Sequence, residues 1–132
     1  MALESAPLED VADLFTQILL EREAQETQQR VLPREDPEKL RELLDLAPPE
    51  QGLGLQEVGD RLRVLVRHTP ITTSKSFFNQ LYGGREPASL LGEVVASALN
   101  SSMYTYKVGG AQVLVELELL KQMGRRIGFE DA

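Results

Sequence analysis

The side chains able to do chemistry fall where helical periodicity breaks. Two stretches stand out: Phe77-Phe78-Asn79-Gln80-Leu81-Tyr82, and Ser102-Met103-Tyr104-Thr105-Tyr106. Each mixes neutral hydrogen-bonding groups with aromatic rings. A neutral amide such as Gln80 can donate to a carboxylate without adding charge, and aromatic walls keep water out. Loops held by rigid helices are also where binding residues concentrate. By composition alone, turn and packing roles weigh more heavily than binding.

Other chemistry is scarce. The 132 residues include no cysteine, which removes disulfides, thiolate metal sites and a thiol nucleophile. The single His68 removes a multi-histidine zinc site and leaves a catalytic histidine without a partner in sequence. It follows a helical stripe and precedes Thr69-Pro70, so a helix-end or surface role is expected. Gly52-Leu53-Gly54 and Gly83-Gly84 are too short to be more than turns. No phosphate loop and no G-x-S-x-G elbow is present. Glu116 and Glu118, inside an apolar run, are read as facing a partner or an arginine. No residue is expected to be catalytic or to bind a metal.

The formal charge is -7, unevenly spread. Residues 1–50 hold 13 acidic and 5 basic side chains, giving -8; residues 51–132 hold 8 and 9, giving +1. Such a chain repels a phosphate backbone, so no nucleic acid is expected. The acidic third is read as a solvated helical surface, with a docking face for a basic partner as the sharper alternative. No run reaches about 18 apolar residues, so no membrane span is expected. No basic stretch leads into an apolar run at the amino terminus, which makes cytoplasmic the default.

The positioning elements read as helices. Leu8, Val11, Leu14, Phe15, Ile18 and Leu19 recur at i, i+3, i+4 and i+7, an amphipathic stripe that stops at Leu20. Ser5 and Pro7 suit its start. Asp36 before Pro37 is a helix-starting pair; Leu40, Leu43, Leu44 and Ala47 line the next helix, which Pro48-Pro49 ends. A third helix carries Leu55, Val58, Leu62, Leu65 and Val66 and ends near His68. Residues 69–86 read as loop. Pro87 opens a fourth helix, ended by Asn100-Ser101-Ser102, and residues 103–108 connect it to a fifth, about Ala111 to Arg126. Val113, Leu114, Val115, Leu117, Leu119 and Leu120 make that fifth helix apolar on most sides, so burial all round is expected. The fold class is mainly α. The first three helices have thin stripes, as if built to lie against something else.

The motifs themselves resemble a known family. Phe77-Phe78-Asn79-Gln80-Leu81, Leu91-Gly92-Glu93, Ala98 to Tyr106, and Leu120-Lys121-Gln122-Met123 with Ile127-Gly128 are similar to the group II pyridoxal-phosphate (PLP)-dependent amino-acid decarboxylases. The likeness is to the glutamate and cysteine-sulfinate decarboxylase branch, where F-F-N-Q-L precedes A-L-N-T-S-x-Y-T-Y-E and a long helix. It covers about residues 72–129; the first 70 residues match only in being helical and acidic.

The resemblance implies the amino-terminal part of an enzyme three to four times longer, with a fold-type-I α/β domain when complete. Residues 1–70 would be a helical segment that wraps the other subunit of a dimer. Residues 71–132 would carry the substrate loops and first helices of the decarboxylase domain. PLP would be bound by a carboxy-terminal region or partner chain, since Lys39, Lys75, Lys107 and Lys121 match no Schiff-base position. The chain alone would be inactive, working within a two-fold homodimer or a heterotetramer. Gln80 matches a glutamine near the substrate carboxylate. Tyr82 and Ser102 match selectivity positions and favour a short acidic amino acid, aspartate or cysteine sulfinate, over glutamate. Phe78 and Asn79 accompany Gln80, and Tyr104 and Tyr106 match aromatics on the loop closing the pocket. Two places depart from the pattern. Thr72-Thr73-Ser74-Lys75-Ser76 stands for T-S-H-P-R, and Thr105-Tyr106-Lys107-Val108-Gly109-Gly110 for T-Y-E-I-A-P. The alternatives are a non-catalytic helical interaction module derived from such an enzyme, a subunit of a split and repurposed PLP enzyme, and a free-standing helical protein.

Overall fold

The structure, a computed structural model, describes residues 5–26, 28, 30–32 and 34–129. Its helices are α1 Leu8–Gln25, α2 Pro37–Leu44, α3 Leu55–Arg67, α4 Pro87–Leu99, α5 Tyr106–Gly109 and α6 Ala111–Arg126. No strand occurs among the described residues, so the mainly α expectation holds. The chain divides into two compact units, Met1–Gly84 and Arg85–Ala132. The division of roles after residue 70 read from the family likeness is a separate matter from this division of packing.

In the first unit α1 and α2 both pack on α3. Glu9 and Asp10 sit in the first turn of α1, where the helix dipole favours negative charge. The helix runs past the end of the apolar stripe to Gln25. Leu14 and Ile18, one helical turn apart, are its buried residues, at 6% and 8% exposure. Leu14 fits because α3 presents Gly59: a Cβ there would stand 2.8 Å from Leu14 Cδ1. Polar groups flank that contact. Arg63 Nε donates to both carboxylate oxygens of Glu21, at 3.1 and 3.0 Å, and this hydrogen bonding is the main reason the guanidinium holds its proton more firmly than usual.

The Asp36-Pro37 start behaves as expected, with the Asp36 carboxylate accepting from the Glu38 amide at 2.9 Å. The expected end of α2 is corrected. The helix stops at Leu44, where Asp45 turns left-handed at φ 43°, so Ala47 lies beyond it. Arg61 of α3 holds that stop, donating to the Asp45 carbonyl at 3.0 Å and its carboxylate at 2.6 Å. At the start of α3 the Glu57 carboxylate accepts from the Gly54 amide at 2.7 Å, which is half of a capping box.

The second unit begins with α4. Its cap is Glu86, whose carboxylate accepts from the Ser89 amide at 2.8 Å. Asn100 ends it in the left-handed region at φ 42°. Where residues 103–108 read from sequence as connection, the structure forms the single-turn helix α5 from Tyr106 to Gly109, which packs on α6. The expected burial of the last helix is corrected for this unit taken alone. Leu114, Val115, Leu117, Leu119, Leu120 and Met123 are all exposed on α6. One turn of α5 is too short to cover an apolar helix of 16 residues.

Candidate functional site

The end of α1 fastens the segment that leads to the first candidate loop. Arg22 donates to the carbonyl oxygens of Val66 at 2.9 Å and Thr69 at 2.6 Å, satisfying acceptors at the carboxy-terminal end of α3. Partial burial lowers the affinity of this guanidinium for its proton, against the pull of nearby Glu26. Thr73 Oγ1 donates to the Glu26 carboxylate. Between them Ile71 is 1% exposed, and its amide donates to the Val31 carbonyl at 2.9 Å. His68 turns Nδ1–H onto the Val64 carbonyl at 2.8 Å, the helix-end role expected of it.

From Ser74 onward the loop is a series of local turns. The Phe77 amide donates to Ser74 O at 2.9 Å, and the Tyr82 amide to Asn79 O at 3.2 Å. Asn79 Oδ1 accepts from the Leu81 amide at 2.9 Å, an Asx turn. The rings of Phe77 and Tyr82 meet edge to face, with centroids 5.3 Å apart. The turns bring Asn79, Gln80 and Tyr82 onto one short loop. Phe78 projects outward at 91% exposure, and Gln80 is also exposed.

The second loop lies in the other unit. Ser102 Oγ accepts from the Tyr104 amide at 3.2 Å, and Ser101 Oγ donates to Gln112 Oε1 of α6 at 2.9 Å. Tyr104 is 89% exposed, while Tyr106 opens α5 and is exposed as well. The structure thus groups Ser102, Tyr104 and Tyr106 on one loop, and Phe78, Asn79, Gln80 and Tyr82 on the other.

Among the described residues of the first unit two hollows stand out, and none of the seven candidate residues lines either. One is an open cleft of about 530 Å³ between α1 and the start of α3, with Asp10, Asp13, Gln17 and Glu57 on its walls. The other, about 290 Å³, is an apolar groove of Leu44, Leu46, Leu53, Val58, Leu62 and Leu65. Leu62 and Leu65, on the apolar side of α3 read from sequence, are part of the exposed wall of that groove. Sequence reasoning missed both; the Leu44–Leu53 spacing around two prolines was the available signal for the second. Lys39, Lys75, Lys107 and Lys121 are exposed and line neither hollow. Glu116 and Glu118 face outward, Glu118 accepting from the Gln122 amide group at 2.6 Å. Among the described residues no acidic or histidine cluster could hold a metal, and no helix is long and apolar enough to cross a membrane.

This chain, whose regular elements are all helices among the described residues and whose two candidate loops both bear tyrosine, is homologous to part of the group II PLP-dependent amino-acid decarboxylases. No family model matches it. Human cysteine sulfinic acid decarboxylase is 36% identical over 101 residues, which is 76% of this chain and 20% of that protein. Acidic amino acid decarboxylase GADL1 of Xenopus tropicalis is 32% identical over 124 residues, 94% of this chain and 24% of that one. The crystal structure of mouse CSAD superposes with a TM-score of 0.81 at 31% identity, over 91% of this chain and 26% of that chain. The chain thus spans about a fifth to a quarter of the length of the relatives it matches.

Proposed function

We propose that this chain supplies two substrate-pocket loops and the dimer-wrapping helices of a PLP-dependent decarboxylase acting on a short acidic amino acid. Aspartate and cysteine sulfinate are favoured over glutamate. The observation that supports this is the joint likeness in sequence and backbone to cysteine sulfinic acid decarboxylases. Residues 1–70 wrap a partner, and residues 71–132 begin the catalytic domain. PLP would be held by a carboxy-terminal region or a partner chain, where it would supply the electron sink that decarboxylation needs. The assembly is a two-fold homodimer or a heterotetramer in the cytoplasm, and the chain by itself is inactive.

The residues of this chain bind and orient rather than react. The Gln80 side-chain amide donates to the substrate carboxylate without placing a competing charge beside it. Phe78 and Asn79 flank that contact. Tyr82 limits the length of the substrate, and Ser102 leaves its far end a small hydroxyl partner. Tyr104 and Tyr106 cover the site and exclude water. In the active assembly, Gln80→Ala lowers kcat/KM about tenfold to a hundredfold, the worth of about 1.5–3 kcal/mol for a hydrogen bond to a charged group. PLP absorbance survives that change. Tyr82→Ser with Ser102→Asn shifts preference toward glutamate by removing bulk and adding an amide. Unchanged turnover in the first variant and an unchanged substrate ranking in the second would sink the proposal.

One observation favours a second reading. Lys107 stands exposed where the family pattern has an acid, in the turn leading to α6. A split and repurposed PLP enzyme, or a non-catalytic interaction module, accommodates that reversal. Absence of PLP absorbance from every assembly purified with this chain would select the interaction module.

A further inference from the structure

Gly109 is the buried last residue of α5. A Cβ placed on it would stand 3.1 Å from the Ser102 carbonyl oxygen, 3.4 Å from Met103 Cα and 2.7 Å from Val113 Cγ2. Two stretches of backbone therefore touch with only a hydrogen between them. The same loop is fastened on either side of that contact. Ser101 Oγ reaches Gln112 at 2.9 Å, and the Gly109 amide donates to Thr105 O at 2.8 Å. Neighbouring glycines differ. Gly110 has open space around it and is required by its φ of 53°, while Gly92 on α4 has open space and an ordinary helical backbone.

We infer that Gly109 is a positioning residue: its missing side chain sets how deeply the Ser102–Met103 backbone sits, and through Ser102 it sets which acidic substrate is preferred. The inference rests on the proposal above that Ser102 shapes the far end of the substrate site. A methyl group at position 109 has two ways out. Val113 is held by its branched side chain in the first turn of α6, and the Ser102 carbonyl belongs to a loop. The loop is the softer partner, so it moves outward and carries the Ser102 hydroxyl with it. Ser102 is placed at the far end of the substrate and not at its reacting atoms, so displacing it alters binding common to ground and transition states, which acts on KM more than on kcat.

The test has two arms. Backbone NMR of the full 132-residue chain reads the geometry. Gly109→Ala shifts the Ser102 and Met103 resonances, Gly92→Ala does not, and Gly109→Ala with Val113→Ala still shifts them because the Ser102 contact remains. Kinetics of the active assembly read the consequence. Gly109→Ala changes the ratio of KM values for the shorter and the longer acidic substrate about tenfold with kcat held within about twofold, and Gly92→Ala alters neither. Unmoved Ser102 and Met103 resonances, or their full restoration by Val113→Ala, overturn the positioning role. Moved resonances with an unchanged substrate ranking overturn the specificity role. An assembly that decarboxylates no acidic amino acid defeats the proposed function and the specificity role with it, while the NMR arm still decides the positioning role.

Discussion

Arg22, in the last turn of α1, donates to the carbonyl oxygen of Thr69 at 2.6 Å, two residues beyond the last residue of α3. A second bond from the same guanidinium, to Val66 O, makes it a two-pronged cap supplied from another helix. Arg22→Ala leaves both carbonyls without this donor and takes a positive charge from the negative end of α3. Stability should fall by about 1–3 kcal/mol, read as a lower urea midpoint with an unchanged slope. A midpoint equal to that of the unaltered chain would show the cap to be idle.

The close approach of Leu14 to Gly59 predicts a coupled pair. Gly59→Ala gains about 1 kcal/mol of helix propensity but forces its methyl onto Leu14. Overpacking of that kind costs about 1–3 kcal/mol. Leu14→Ala alone opens a void and costs about 2–5 kcal/mol. In the double variant the new methyl occupies space that Leu14 has vacated. Denaturant melts should therefore give a double-variant loss smaller than the sum by at least about 0.5 kcal/mol, and strict additivity would refute the contact.

The cap of α4 titrates. The amides of Ser89 and then Ala88 hold the Glu86 carboxyl below its ordinary value of 4.5. The folded chain therefore releases this proton more readily than the unfolded chain does. Its contribution is complete above pH 4.5 and is lost as pH falls through the lower folded value. Carbon chemical shifts of residues 87–90 should show the helix start fraying in that acid window. Glu86→Gln should remove this acid step, and a step that persists in the variant would assign it to another group.

On α1, Phe15 is 41% exposed and Leu8 more so, although Leu14 and Ile18 of the same stripe are buried within the unit. Their outer face is the one proposed to lie against a partner. Phe15→Asp should leave the unit folded to within about 0.5 kcal/mol, as surface changes do. In an interface the uncompensated charge costs several kcal/mol, enough to break association. Sedimentation velocity separates the outcomes; an intact assembly would place that face in solvent.

What could be read from the sequence was local. Asp36-Pro37 and Pro87 announce helix starts because the cap and the proline act within one turn. The family motifs located both candidate loops for the same reason. Three features needed distant information. Leu14 and Ile18 become core, and Phe15 does not, because the glycine that admits Leu14 lies on another helix. Ile71 looked like loop, and it is buried in a segment bonded to Val31 and to the end of α1, both distant in sequence. The apolar sides of α6 read as burial, but periodicity reports only what a helix can cover, not whether its own unit contains the cover. Thr105 followed by Gly109-Gly110 was the overlooked signal for α5. It is a single turn, too short for a hydrophobic period to show.

The left-handed stop at Asn100 has a bearing on engineering. Asparagine tolerates that conformation better than most residues, yet glycine adopts it with no Cβ penalty. Asp45, the other such stop, is tied to Arg61 through its side chain and is not free to change. Asn100 ends α4 two residues before Ser102, so a glycine there would relieve the turn without altering the hydroxyl beside it. The position is a handle for raising the chain's tolerance to mutation ahead of any attempt to redesign the loop. Extra stability placed just outside a binding loop is what lets destabilising specificity changes be carried within it.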